Sequence, residues 1–388
     1  SVLVGLARID ITPDYPVRLA GYASRMDEVS NVVDRLWGKA IAIGSNEGDG
    51  PAVLVVLDSC SATAGLATAV ATRLKEKAGV RPERCVVAST HTHSAPLLPD
   101  FAGWHYTKVM PAEHAEHMNR YRRELVDQLT QVALDALAAR KPARLAWAQG
   151  AVSFGVNRRR LENGKWVGFL PRDARESPGP VDPRLPVLRV TNLEGKLVGI
   201  VANYACHCTT VGASNEIHGD WAGFAQKAME AAHPEAVALM LIGCGADVGP
   251  YPGSTLEHAQ QYGRAVADEV DRLLQGEWKR IPASLVARQE TIQVPLGQLP
   301  NREELQRRTQ QGSLGARDMA RHFLAILERD GALPKSFDYP ITTWTFGDDL
   351  AMVFLPGEVV VDYSLRLKRE LDSSRLWVTA YANGMPCY

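Results

Sequence analysis

Residues 84–96, RCVVASTHTHSAP, set two histidines two apart, His91 and His93, just beyond a short apolar run. The run Cys85–Ala88 reads as a buried strand, and if the strand persists both rings leave it on the same side. A neutral imidazole is the commonest metal ligand, and a second one beside it can act as a base. Taken alone, the pair could equally be two hydrogen-bonding side chains that cap a strand. Other strand ends weigh against that reading. Apolar runs at 53–57, 198–205, 236–242, 350–355 and 376–381 are each followed closely by Asp58, His207, Asp247, Glu358 and Tyr388 respectively. In open α/β sheets ligands gather at the carboxyl ends of strands. Two imidazoles and a carboxylate drawn from distant segments predict a catalytic zinc site of the His2Glu type, with one position left for water. No H-E-x-x-H motif supplies such a site locally.

Those strand ends need a frame to bring them together. Val2–Ile11 reads as a strand, and Lys39–Ile43 with Ala52–Leu57 as a hairpin across Asn-Glu-Gly-Asp-Gly. Ala64–Ala78 has helical periodicity. Ala112–Arg140 is the longest helix, with Leu125, Leu129, Val132 and Ala136 on one face. Val187–Thr191 and Leu197–Ala205 form a second hairpin whose second strand runs into His207. Asp220 is placed to N-cap a helix reaching Ala232, ahead of the continuous apolar strand Ala236–Ile242. Leu350–Leu355 empties into Pro-Gly-Glu358. The expected fold class is α/β, with mixed β-sheets flanked by helices and the metal site at the C-terminal ends of strands. Two stretches read as loops. Residues 97–111 carry Phe101, Trp104, His105, Tyr106 and Met110, which either line a pocket or pack the loop down. Residues 163–186 are rich in Gly, Pro and charge. Arg158, Arg159 and Arg160 form a basic cluster whose default place is a solvated surface, although a guanidinium from it suits a substrate carbonyl or carboxylate.

Composition narrows the function classes. The 388 residues are 46% hydrophobic and 22% charged, and the net charge of −1 gives no argument for nucleic acid or an anionic membrane as partner. No apolar run reaches bilayer length. The six cysteines sit mostly in or beside apolar runs, which suggests buried thiols rather than a disulfide framework. The chain opens on Ser1 rather than Met, which leans toward an exported, processed protein.

The motifs STHTHSAP (89–96), VNR (156–158), VDP (181–183), NYACHCTTV (203–211), HGDWAGFAQ (218–226), CGADVGPY (244–251), LPGEVV (355–360) and ANGMPCY (382–388) lie in this order along the chain. Together they resemble the catalytic domain of the neutral/alkaline ceramidases, zinc-dependent amidases that cleave the N-acyl bond of ceramide. The resemblance implies His91, His207, Glu358 and Tyr388 as zinc ligands, His93 as general base, and Arg158 at the substrate carbonyl. Asp247 joins the expected catalytic set with His93, Arg158 and Tyr388. The resemblance implies one hydrolase domain over residues 1–388, without the family's Ig-like C-terminal domain. Where the family motif carries a serine important for catalysis or for contact with a substrate hydroxyl, this chain has Gly249.

The expected activity is therefore zinc-assisted hydrolysis of an amide in a small N-acyl substrate more polar than ceramide, with no integral membrane segment and a possible homo-oligomer. An ester or carbohydrate-derived substrate is one alternative. A zinc-binding homologue without catalysis is another, but a closed structural zinc site would need no spare imidazole such as His93.

Overall fold

The computed structural model describes residues 1–101, 110–168 and 179–386. Trp104, His105, Tyr106 and Tyr388 of the expectations above lie outside the described residues.

The first half of the chain alternates strands and helices. Strands β1 (Val2–Asp10), β2 (Trp37–Ile43) and β3 (Ala52–Leu57) pair antiparallel in sequence order. Helix α1 (Ala64–Ala78) starts where the Thr63 hydroxyl accepts from Leu66 N–H and stops at left-handed Gly79. It returns the chain to β4 (Cys85–Ser89), parallel to β3. Both β3 and β4 are buried throughout, as their unbroken apolar runs require. Helix α2 (Ala112–Ala138) leads to β5 (Lys141–Ala151), which pairs with β1.

Two short ribbons follow. β6 (Gly155–Asn157) is one strand of the first; β7 (Arg159–Glu162) and β8 (Lys165–Gly168) form the second, a hairpin. The hairpin corrects the reading of residues 163–186 as one long loop. Asn163 and Gly164 both have positive φ, the requirement of a tight two-residue turn. The chain then runs through β9 (Arg184–Asn192), β10 (Leu197–Tyr204), α3 (Asp220–Ala232) and β11 (Val237–Ile242). β12 (Val248–Pro250) closes the first ribbon by pairing with β6. Helix α4 (Leu256–Leu274) and β13 (Lys279–Arg280), which pairs with β5, complete this half.

The last third builds a separate sheet. Its strands are β14 (Val286–Pro295), β15 (Ser336–Phe346), β16 (Leu350–Phe354) and β17 (Leu376–Thr379), in that spatial order. Helices α5 (Arg302–Arg308) and α6 (Leu314–Asp330) sit between β14 and β15, and α7 (Val361–Glu370) between β16 and β17.

The large sheet has nine strands, in the order β11-β10-β9-β5-β1-β2-β3-β4, with β13 attached to β5. It is not open. The alternation within β2 sends Ala40 and Ala42 toward α1 and α2, and Ile41 and Ile43 to the opposite face. β11 divides likewise: Met240 and Ile242 lie in the cluster of α3 and α4, while Leu239 and Leu241 join Ile41 and Ile43. Two halves of one sheet thus share an interior, and Lys39 Nζ of β2 reaches the Ala238 carbonyl of β11 at 2.9 Å. Trp344, Phe346, Phe354 and Trp377 of the second sheet plug the same interior. Each such aromatic buries about 150–250 Å². The α/β class with mixed sheets and flanking helices holds; the open sheet that motivated it does not.

Candidate metal centre

The curl brings the end of β4 beside the end of β10, although the two strands lie far apart in sheet order. The strand does not persist through the histidines. β4 ends at Ser89, and His91 has a left-handed φ of 57°. That conformation costs a non-glycine residue about 1–2 kcal/mol. A bridge between Thr92 and Cys208, together with a bond from His93 N–H to the Cys208 carbonyl, holds the turn against the His207 segment. The two rings of His-x-His thus meet through a strained turn rather than through strand alternation.

The backbone of His207 is fixed from two sides. Its backbone N–H donates to the Val248 carbonyl. Its carbonyl accepts from Trp221 Nε1 at 2.8 Å. Asp220 does not cap α3 by the usual side-chain bond. Its carboxylate instead accepts from the N–H groups of Thr210 and Val211 as well as Trp221, and so binds the loop after His207 to the start of α3.

Glu358 comes from the second sheet, just after β16. Tyr381 N–H donates to the Gly357 carbonyl while the Tyr381 carbonyl accepts from Ser89 N–H, so one residue clamps the Glu358 turn to β4. The Tyr381 ring stacks on His91 at 4.3 Å between centroids. Tyr381 carries no signal of its own in the chain, because it is a strand-end residue among several.

These contacts bring together His91, His207 and Glu358, with ligand atoms all within 4.8 Å of one another. His207 Nε2 lies 3.2 Å and His91 Nε2 3.6 Å from a Glu358 oxygen. His93 Nε2 is 3.1 Å from His91 Nε2.

The protonation pattern tests whether a cation fits. His91 Nδ1 is 2.6 Å from the Cys60 carbonyl and His207 Nδ1 is 2.7 Å from the Gly245 carbonyl. A carbonyl only accepts, so each Nδ1 carries the proton and each Nε2 a lone pair. Two lone pairs then face a carboxylate. A second proton on each ring would relieve the repulsion, but burial opposes it. Burial and Arg158 push His207 down to about 3, and burial lowers His91 as well. Burial would raise the Glu358 carboxyl, yet the His91 and His207 imidazoles and Arg158 outweigh it and hold it at about 2. An anion and two neutral donors converging in a dry site fit a divalent cation of the zinc type.

A second grouping, Cys60 with His91 and His93, is also close enough to hold an ion. Burial pushes the Cys60 thiol well up, so it would have to give up its proton against that burial to act as a ligand. The carboxylate set is the better one.

Arg158 follows β6 and leaves its two neighbours at the surface: Arg159 and Arg160 are exposed, while Arg158 Nη2 lies 2.7 Å from His207 Nε2 and donates to the Ala246 carbonyl at 3.0 Å. The basic cluster is thus split between site and solvent. Asp247 lies one layer back. Its carboxylate accepts from Asn157 Nδ2 at 2.9 Å and Val361 N–H at 2.8 Å, tying the ribbon of Arg158 to the segment after Glu358. Asp58 lies below the site, accepting from Thr90 Oγ1 and Gln226 Nε2, and burial raises it to about 6. Gly249 pairs with Val156, and a Cβ there would sit 3.4 Å from Arg158 Cδ.

The loop over His93 escaped the sequence reading. Arg25 Nη1 donates to the Ala20 and His93 carbonyls, and Tyr22 meets the His93 ring edge-on at 5.1 Å. Burial, with His91 and His207 nearby, holds His93 well below its ordinary value, so the ring is neutral.

Comparison with known proteins gives a consistent family. The profile described as neutral/alkaline non-lysosomal ceramidase, N-terminal, matches residues 2–242. The neutral ceramidase of Pseudomonas aeruginosa is 27% identical over 221 residues, 55% of this chain and 31% of that protein. Neutral ceramidase A of Dictyostelium discoideum is 25% identical over 233 residues, 58% of this chain and 31% of that protein. The chain thus spans about a third of the length of these curated relatives. The crystal structure of the Pseudomonas aeruginosa neutral ceramidase superposes with a TM-score of 0.75 at 18% identity, covering 99% of this chain and 68% of that one. A ceramidase complexed with C2 superposes at 0.76, also at 18% identity, covering 100% of this chain and 69% of that one. At that identity the superpositions establish the fold.

Proposed function

Because the chain belongs to the neutral/alkaline non-lysosomal ceramidase family, we propose that it is a zinc-dependent hydrolase of amide bonds, acting as one domain. The carrying observation is the convergence of two His Nε2 lone pairs on the Glu358 carboxylate in a buried site. His91, His207 and Glu358 would hold the metal; Tyr388, the fourth ligand suggested by the family resemblance, lies outside the described residues. Zinc held there supplies Lewis acidity toward an acyl carbonyl and toward water.

The chain's own residues do the rest. His93 is the general base. With the His91 lone pair engaged in metal binding, His93 Nε2 would accept a proton from the attacking water and later return it to the leaving amine, a role worth about 10²–10⁴-fold. The ring is neutral, so it has one lone pair, which lies on Nε2 in the tautomer that carries its proton on Nδ1. Arg158 now donates toward His207 Nε2; once a cation claims that nitrogen, the guanidinium is free to face the developing oxyanion. Asp247 acts by positioning, since it holds the Arg158 ribbon to the Glu358 segment.

The substrate is a small, polar N-acyl compound. Gly249 leaves room beside the Arg158 stem, and an arginine fork suits a carboxylate or phosphate on the substrate. No helix of the described residues is long and apolar enough to cross a membrane. The test is kcat/KM for long-chain ceramide against short N-acyl amino acids and N-acetyl amino sugars, with and without chelator. Chelator-sensitive turnover that favours the short amides is expected. A preference for ceramide of about a hundredfold, or about 3 kcal/mol, would return the substrate to the relatives' namesake lipid.

A further inference from the structure

The second sheet ends at β14, whose outer edge pairs with no strand of the described residues. Eight of its ten residues are exposed. Nothing in the connection to β15 covers the edge. Leu296 N–H bonds the Lys335 carbonyl at 2.8 Å, which closes a neck at the far end of β14 and carries α5 and α6 beyond the strand tips. A long free edge is a template for another strand, and proteins commonly block it with inward or like charges. The charges on β14 do the opposite.

Val286, Arg288, Glu290 and Ile292 alternate onto one face of the strand and are exposed. The residues across from the two charges on β15 are Thr343 and Ile341, which offer no counter-charge. A row of lysines would repel its own copy. Arg288 and Glu290, one on each side of Gln289, make the strand complementary to itself. About a two-fold axis through Gln289, an antiparallel second copy sets each Arg288 opposite a Glu290 and each Val286 opposite an Ile292. Val286 and Ile292 are 45% and 42% exposed, so both apolar pairs gain burial. Parity is kept in such a pairing, so all four pairs fall on one face, and each directly opposed pair contributes favourably. The contact is isologous and closes at two copies.

We propose that two copies of this chain pair through the β14 edge, antiparallel and centred on Gln289, to join their four-stranded sheets into one of eight strands. The contact is independent of the metal centre and stands or falls apart from the catalytic reading.

Analytical ultracentrifugation of the whole chain at about 10–100 µM tests this, using exposed substitutions that leave the core intact. The wild type should sediment as a dimer. Arg288→Glu places like charges opposite each other twice and should weaken the dimer at least about tenfold. Arg288→Glu combined with Glu290→Arg restores both opposite-charge pairs and should recover the dimer. A wild type that stays monomeric at 100 µM overturns the proposal. So does an Arg288→Glu variant that dimerises as the wild type does, because the contact then runs through another surface. A charge-swapped double variant that remains monomeric overturns the register.

Discussion

Two clusters of histidines with a glutamate among the described residues are built differently. His91, His207 and Glu358 are 0%, 1% and 11% exposed, and Glu28, His114 and His117 are 10%, 20% and 21% exposed. Burial alone does not separate the two glutamates. What separates the clusters is which nitrogen faces the acid. In the second, His117 Nδ1 lies 2.9 and 3.0 Å from the two Glu28 oxygens, and its N–H donates straight to the carboxylate. In the first, backbone carbonyls of Cys60 and Gly245 take the Nδ1 protons, and lone pairs are left facing Glu358. Glu28 already receives a donated N–H from His117, whereas the first cluster calls for a cation. Residue types are alike; of the two trios only the first brings its ligand atoms within 4.8 Å of one another, and the backbone acceptor behind each of its rings turns the lone pairs inward.

The largest expected effect breaks the comparison at its centre. His91→Ala or His207→Ala should drop bound zinc from about one per chain to near none by atomic absorption, with kcat/KM falling at least about 10⁴-fold. His117→Ala should keep full zinc and full activity. Zinc lost from the His117 variant instead would move the metal to the second cluster. Next comes the imidazole that only the first cluster possesses in surplus. His93→Ala should retain zinc and lose about 10²–10⁴-fold in kcat; wild-type turnover across neutral pH would make His93 structural. The smallest effect sharpens the contrast without substrate. His207 is held at about 3 against about 6.5 in the unfolded chain. Between those values the unfolded state binds a proton that the fold refuses. Stability present above pH 6.5 is therefore lost as pH falls, by up to about 1.4 kcal/mol per pH unit. In chelated protein, urea midpoints should fall more steeply from pH 7 to pH 5 for the wild type than for His207→Gln. Parallel curves would mean that the fold accepts the proton.

Much of this centre could be read in the chain. His91, His207 and Glu358 each follow an apolar run that became a strand, and β3 and α1 have the bounds their patterns predict. Residue type carries that information, because a buried run must end somewhere polar. Three features were not legible. The curling of the large sheet on itself depends on which face of β2 and β11 turns inward, and their sequences alternate equally well either way. The Cys60 and Gly245 carbonyls that set the tautomers belong to the backbone, which every residue has. The left-handed φ of His91 was hidden because His-x-His fits a strand just as well. The Arg159–Gly168 hairpin did leave a signal, the Asn163-Gly164 turn, but the surrounding charge and glycine read as loop.

Gly21 sits at a φ of 92°, and a Cβ placed there would lie 2.3 Å from His93 Nδ1. The backbone of this loop is thus pressed against one end of the imidazole, and that nitrogen has no hydrogen-bond partner among the described residues. Most histidine bases are wired at both ends, with a carboxylate or carbonyl behind the ring to steady or drain its charge. His93 is a cul-de-sac. A proton taken up at Nε2 has no exit through Nδ1 and can leave only by the face through which it arrived. On the proposed mechanism His93 would be returned to its neutral state by giving that proton to the departing amine, so that turnover and proton return would be one event, insulated from the buffer.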